Sequence, residues 1–211
     1  MNSALQTLAQ KHPDLAACAA DIQAAFALLA DTYRQGGKVL VCGNGGSAAD
    51  SEHIVGELLK GYLAPRPVPD SIRQQLLADF PAHGAYLADH LQGALPAISL
   101  VSQTSFLTAY ANDVAADMVF AQQVFAYGRP GDALLAISTS GRAANVLHAL
   151  RVARVLGLRT IGLTGQEGGA LKDLCDVTIR VPGERSPEIQ ERHAAVYHAL
   201  CALLEEEFFP R

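Results

Sequence analysis

Five short aliphatic or β-branched runs punctuate the chain: KVLVC from Lys38, AISLV from Ala97, ALLAI from Ala133, RTIGL from Arg159 and VTIRV from Val177. Most are nearly continuous rather than alternating in polarity, the pattern of strands covered on both faces in a parallel sheet. The stretches between them have a helical period. In AANVLHALRVARVLG, from Ala143, the apolar positions Val146, Leu147, Leu150 and Ala153 recur at spacings of three and four. Strand and helix in alternation predict crossover connections and a doubly wound α/β sheet. Ahead of the first run, DLAACAADIQAAFALLADTYRQGG is apolar on more than one face, so it predicts a helix buried against other helices, with subunit association as a natural source of cover. Residues 188–209 predict a final helix, with Pro187 suited to its first turn.

No internal repeat or linker divides the chain, so one domain over 1–211 is expected, with a helical segment at 1–36. Residues 64–96 are longer than a crossover needs, because a helix over 47–62 already follows the first strand. They read as an inserted helical excursion, with Asp70 or Ser71 as a cap and Pro81 as an interruption. Its apolar set, Ile72, Leu76, Leu77, Phe80, Tyr86, Leu87 and Leu91, is rich for a solvated loop. A helical cover at the edge of a site or against another subunit is the expectation.

Composition narrows the function classes. Half of the 211 residues are hydrophobic, enough for one sizeable core. The net charge of -5 speaks against the basic surface that direct nucleic-acid binding needs. The opening MNSALQTLAQKHPDL lacks the pattern of a signal peptide, and no stretch is expected to cross a membrane. A cytoplasmic protein is expected. Cys18, Cys42, Cys175 and Cys201 have no paired metal-ligand spacing and read as small core residues in a reducing compartment.

The candidate chemistry begins at GNGGS, Gly43 to Ser47. Its glycine spacing is not the dinucleotide fingerprint, and no Gly-Lys-Ser or Gly-Lys-Thr follows as a P-loop requires. It is a strand-to-helix turn whose free N–H groups suit a small anionic or hydroxylated ligand. A second such turn, ISTSG, offers the hydroxyls of Ser138, Thr139 and Ser140 before Gly141: a phosphate cradle without a lysine. His53 and Glu57, four residues apart, share one face of a helix, a spacing that permits a shared metal or a proton-transfer pair. It equally fits two exposed polar side chains. In the last helix Gln190, His193 and His198 add polar groups to an alanine- and leucine-rich segment. Gln190 and His198 are separated by about 12 Å along a helix axis and by roughly 80° around it, so spacing alone does not bring them together.

Taken together, CGNGGSAADSEHIVGE, the AND at Ala111 to Asp113, ISTSG, LTGQEGG from Leu163 and IQERHAAVYH from Ile189 resemble the sugar isomerase (SIS) domain family nearly end to end, apart from residues 64–96. The resemblance implies a three-layer sandwich with a five-stranded parallel sheet. It also implies a homotetramer whose N- and C-terminal helices form an interface bundle, with sites between subunits. Within the family, the likeness is to the branch that converts sedoheptulose 7-phosphate to D-glycero-D-manno-heptose 7-phosphate for heptose precursor synthesis. By motif, Asn44, Gly45, Gly46, Ser47, Asn112, Asp113, Ser138, Thr139, Ser140, Glu57 and Gln190 match substrate-binding positions. His53, Glu57, Gln190 and His198 match the zinc set, one ion per subunit, and Glu57 and His198 the proton-transfer positions.

Two departures stand out. Ala143 occupies a place where the family commonly has another phosphate-contacting serine, beside Arg142, and Gly61 stands near where an arginine follows the acidic helix, with Lys60 next to it. The competing readings are a non-catalytic relative that binds the bacterial replication initiator, a sugar-phosphate sensor, and an isomerase of another sugar phosphate. The Glu57 and His198 pair favours an enzyme, because neither a binding protein nor a sensor needs an acid and a base.

Overall fold

The computed structural model describes residues 3–210. Its centre is a parallel sheet of β1 (Val39–Cys42), β2 (Ala97–Ser99), β3 (Ala133–Ser138), β4 (Arg159–Gly165) and β5 (Val177–Val181), in the order β2-β1-β3-β4-β5. These are the five apolar runs. Every residue of β1 and β3 is buried, as continuous rather than alternating hydrophobicity requires. Leu40 is in register with Ile98 on one side and Leu134 on the other, so β1 is the pivot at which the chain changes direction across the sheet.

Helices cover both faces. On one, α2 (Ala19–Arg34), α3 (Gly46–Leu59) and α9 (Ser186–Phe208) join α1 (Ser3–Lys11) over Val39, Val41, Leu135 and Ile137. On the other, α7 (Val119–Tyr127) and α8 (Ala144–Val155) pack on Leu40, Cys42, Leu134 and Ala136. The alternation of Val39 and Val41 against Leu40 and Cys42 divides the core into its two layers.

One apolar face of α2 finds cover within the chain itself. Ile22, Ala25, Phe26, Leu29 and Tyr33 are buried, and the helix packs on α9 and β5. The small-residue face of Ala20, Ala24 and Ala27 stays exposed on the protomer, so the cover expected there from another subunit is not supplied by the chain itself. Contrary to the sequence expectation, Pro13–Arg34 is long and apolar enough to cross a membrane, with a mean hydropathy of 1.4 over its best window. Its buried positions belong to the same core cluster as the sheet, which is how a core helix passes that test. Cys18, Cys42 and Cys201 are buried free thiols, and Cys175 is half-buried.

The excursion is a pair of helices, α4 (Asp70–Asp79) and α5 (Gly84–His90), packed on each other. Asp70 is the first residue of α4, and the capping position belongs to Pro69, with no side-chain cap. The expected packing is only partly present: α4 buries no residue, α5 buries only Gly84 and Ala88, and Phe80, Tyr86 and Leu91 are each at least half exposed. The remaining helix, α6 (Thr104–Tyr110), runs into a π-helical turn at Ala111–Ala115.

Candidate active site

The pivot between β1 and β3 sets the position of the site. The turn after each strand starts a helix there, and the two turns meet: Asn44 and Asn145 exchange reciprocal side-chain amide hydrogen bonds, each 2.9 Å. A sheet that changes direction leaves a crevice at this point, where doubly wound proteins bind ligands. Asn44, Gly45 and Gly46 are exposed on its rim, whereas Ser47 is buried beneath them. Gly46 is required by close approach, because a Cβ there would lie 2.4 Å from Nε2 of Gln190. The first turn of α9 thus seats Gln190 over the start of α3.

The second turn opens a cleft of about 730 Å³ beyond β3, β4 and β5, lined by Thr139, Ser140, Arg142, Glu167 and Ser186 among others. Gly165 N–H donates to the carbonyl of Thr139 at 3.0 Å and fixes the loop. Gly141, with φ of 62°, lies so close to Gly168 that a side chain at this position would strike the Gly168 carbonyl at 2.0 Å. Ser140 is exposed at the mouth, Thr139 and Ser186 share a hydroxyl contact of 3.2 Å, and Ser138 is buried at the strand end. Arg142 reaches across to Glu167 at 2.8 Å.

Further along α3 and α9, the acid–base residues come together. His53 Nε2 is 3.2 Å from Glu57 Oε1, Lys60 Nζ is 3.0 Å from Glu57 Oε2, and the rings of His53 and His198 are 4.9 Å apart. Tyr62 stacks on His198 with its ring centroid 5.7 Å away and an interplanar angle of 12°. Burial, together with the nearby His53, holds the His198 pKa below its ordinary value, while Glu57 pulls the other way. His198 is therefore a neutral imidazole at pH 7, able to give or take a proton. A groove of about 330 Å³ leads to His198 past Leu8, Lys11 and Tyr62.

His53 is oriented from behind. Its Nδ1 lies 3.1 Å from the hydroxyl of Tyr197, which sits beside the carboxylate of Asp50. Burial and then that carboxylate push the Tyr197 pKa far above the ordinary phenol value, so it stays protonated as a hydrogen-bonding link. Burial also raises the Asp50 pKa, against the lowering effect of Tyr197 and His53.

The structure thus gathers His53, Glu57 and His198, and places the Gln190 amide against Gly46. Asn112 and Asp113 lie on the exposed π-helical turn, where Asn112 Nδ2 donates to Asp113 Oδ1 at 2.8 Å, and neither lines the cleft at Ser140. Asp50, Asn145 and Tyr197 were not singled out in the sequence, and Lys60 was noted only as the neighbour of Gly61. Asp50 and Lys60 lie within one helical turn of His53 and Glu57 respectively, a signal that could have found them.

A strand-turn-helix crevice with a hydroxyl-rich loop and an isolated carboxylate–imidazole group defines a class, and sequence comparison identifies it. A model of the SIS domain matches residues 7–73 and 82–165, and the chain belongs to that family. The excursion is accordingly part of the family pattern, with only residues 74–81 of it outside the match. The chain is 43% identical to phosphoheptose isomerase of Rhodospirillum rubrum over 95% of its own length and 93% of the relative's. It is 38% identical to phosphoheptose isomerase of Akkermansia muciniphila over 96% and 93%. The solved structure of phosphoheptose isomerase from Neisseria gonorrhoeae superposes with a TM-score of 0.72 at 33% identity, covering 96% of this chain and 91% of that one.

Proposed function

We propose that this chain interconverts sedoheptulose 7-phosphate and D-glycero-D-manno-heptose 7-phosphate, with Glu57 as the carbon base and His198 as the oxygen acid. The observation that carries the reading is the Glu57 carboxylate, 12% exposed, flanked by His53 and Lys60, with the His198 ring packed against His53. In the open-chain ketose Glu57 removes a proton from C1, the C1–C2 double bond forms, and the C2 carbonyl oxygen becomes the enediolate oxygen. His198 protonates that oxygen and takes the proton from the C1 hydroxyl. As the C1 carbonyl forms, the protonated Glu57, whose carboxyl proton exchanges with solvent during turnover, delivers a proton to C2, so atoms and charge balance without a co-reactant. The Lys60 ammonium is placed to stabilise developing negative charge on oxygen.

The phosphate belongs, on this reading, in the cleft at Ser138, Thr139 and Ser140, with Asn44, Gly45 and Gly46 on the sugar and Gln190 above them. Arg142 stands where a hydroxyl is missing at Ala143, and its exposed pairing with Glu167 is weak enough to be exchanged for a phosphate. Ser140→Ala is expected to weaken binding of the phosphorylated sugar by about 1–3 kcal/mol, the value of a charge-assisted hydrogen bond. Isothermal titration checks it, and an unchanged affinity would leave Ser140 a turn residue only.

Zinc fits the donor chemistry of His53, Glu57 and His198, two imidazoles and a carboxylate. Among the described residues no three His, Cys, Asp or Glu side chains form a ready-made metal cluster. A bound zinc would supply polarisation of the carbonyl and hydroxyl oxygens. The tetramer reading is supported by the exposed Tyr86, Leu91 and Leu63, surface that further copies of the chain would cover.

A substrate panel tests the function. Turnover is expected with the heptulose 7-phosphate and not with its unphosphorylated sugar. Faster turnover of a pentose or amino-sugar phosphate would redirect the assignment, and none with any sugar phosphate would favour a binding protein.

A further inference from the structure

Resting on that isomerase reading, we infer that Arg66 is a positioning residue for the proton-transfer pair. It clasps the end of α3, which carries Glu57, to α9, which carries His198. Arg66 lies in the proline-rich APRPVP segment, where a solvated side chain is the ordinary expectation. Its side chain is instead fully buried, at 0% exposure.

Each arm of the guanidinium has a partner. Nε donates to Glu205 Oε1 at 2.7 Å, Nη1 to the Leu58 carbonyl at 2.9 Å and Nη2 to the Glu57 carbonyl at 3.1 Å. Those two carbonyls belong to the last turn of α3, where helix carbonyls lose their intrahelical donors and a cation meets the negative end of the dipole. The guanidinium also lies 4.8 Å from the centroid of the Phe209 ring.

Glu205 extends the clasp. Its Oε1 accepts the N–H of Tyr62 at 2.7 Å and its Oε2 that of Leu63 at 2.6 Å. Tyr62 is the residue that stacks on His198. The root of the α4–α5 pair is tied to the same node, since Gly93 N–H donates to the Arg66 carbonyl at 2.7 Å and Gly61 N–H to Gln92 Oε1 at 2.6 Å. One buried ion pair therefore fixes the backbone of the base, the ring against the acid, and the start of the excursion. Stability alone is a weak reason for such a pair, because apolar replacements of buried ion pairs are often at least as stable. Its three-way fork serves orientation, and lysine cannot reproduce it.

The test compares Arg66→Lys and Glu205→Gln with Asp132→Asn, which breaks the Lys38–Asp132 pair of 2.6 Å below the sheet. Turnover is measured per folded protein, and imidazole resonances report the ring of Tyr62 over His198. Both clasp variants are expected to lose roughly 10- to 100-fold in kcat, the scale of a small misplacement of reacting groups, with KM changed by less than about threefold. The His198 resonances should shift, and Asp132→Asn should keep kcat and those resonances whatever it loses in stability. Folded clasp variants with parental kcat would overturn the inference, as would an equal loss in Asp132→Asn. If Arg66→Lys does not fold, Glu205→Gln decides. An inactive parent protein would overturn the isomerase reading instead, and unmoved His198 resonances in the clasp variants would then overturn the clasp independently.

Discussion

Glu57→Gln is expected to lower kcat by roughly 10²- to 10⁴-fold, the range contributed by a positioned general base. Glutamine has nearly the same shape but cannot carry the C1 proton, so the loss falls on turnover rather than on binding. The fold should survive: the end of α3 is held through the carbonyls of Glu57 and Leu58, which the substitution leaves in place. Steady-state kinetics, a thermal melt and titration with substrate separate these terms. A variant that keeps full turnover would remove Glu57 from the mechanism, and one that keeps turnover but loses affinity would recast it as a binding group.

The second large effect is on stability. His193 is fully buried, one turn along α9 from Gln190, with its ring beside the Thr164 backbone. Burial pushes its pKa down to about 4, with the nearby Thr164 backbone acting weakly in the opposite sense. Between about pH 6.5 and pH 4 the unfolded chain therefore binds a proton that the folded chain does not. Stability is full above the unfolded pKa and falls as pH drops through that window, by about 3 kcal/mol from this residue alone. Denaturant unfolding at pH 7, 5 and 4 should show the fall, and His193→Leu should remove that part of the slope. Glu205 adds a separate acid-sensitive contribution: burial works to raise its pKa, but the N–H groups of Tyr62 and Leu63 and the Arg66 guanidinium outweigh it and hold the pKa low. The difference between parent and His193→Leu isolates the histidine. Parallel curves for the two proteins would show that His193 finds a partner and titrates normally.

The sheet was legible because its central strands β1 and β3 are fully covered, which leaves nearly unbroken apolar runs, and all five runs are strands. The two ligand turns were legible because glycines and hydroxyls at strand ends have few other uses. The gathering of His53 and Glu57 follows from helical spacing, but His198 joins them only through the packing of α9 on α3, which no local pattern encodes. The same limit hides the Arg66 clasp. Arg66 sits in a proline-rich segment and Glu205 begins the acidic run EEE, both of which read as solvent-facing until the fold places them 2.7 Å apart. Residues 64–96 were read as an addition because a helix already follows β1, and their apolar residues announce packing that the protomer only partly supplies, leaving most of them exposed.

The central claim is that this chain moves a proton between C1 and C2 of a heptose phosphate through an enediolate. Proton NMR of sedoheptulose 7-phosphate incubated with the purified protein in deuterium oxide tests it directly. The account predicts D-glycero-D-manno-heptose 7-phosphate with deuterium at C2, formed by the parent protein and roughly 10²- to 10⁴-fold more slowly by Glu57→Gln. An unchanged ketose would contradict the claim, and so would an aldose that retains, over many turnovers, only the hydrogen carried from C1.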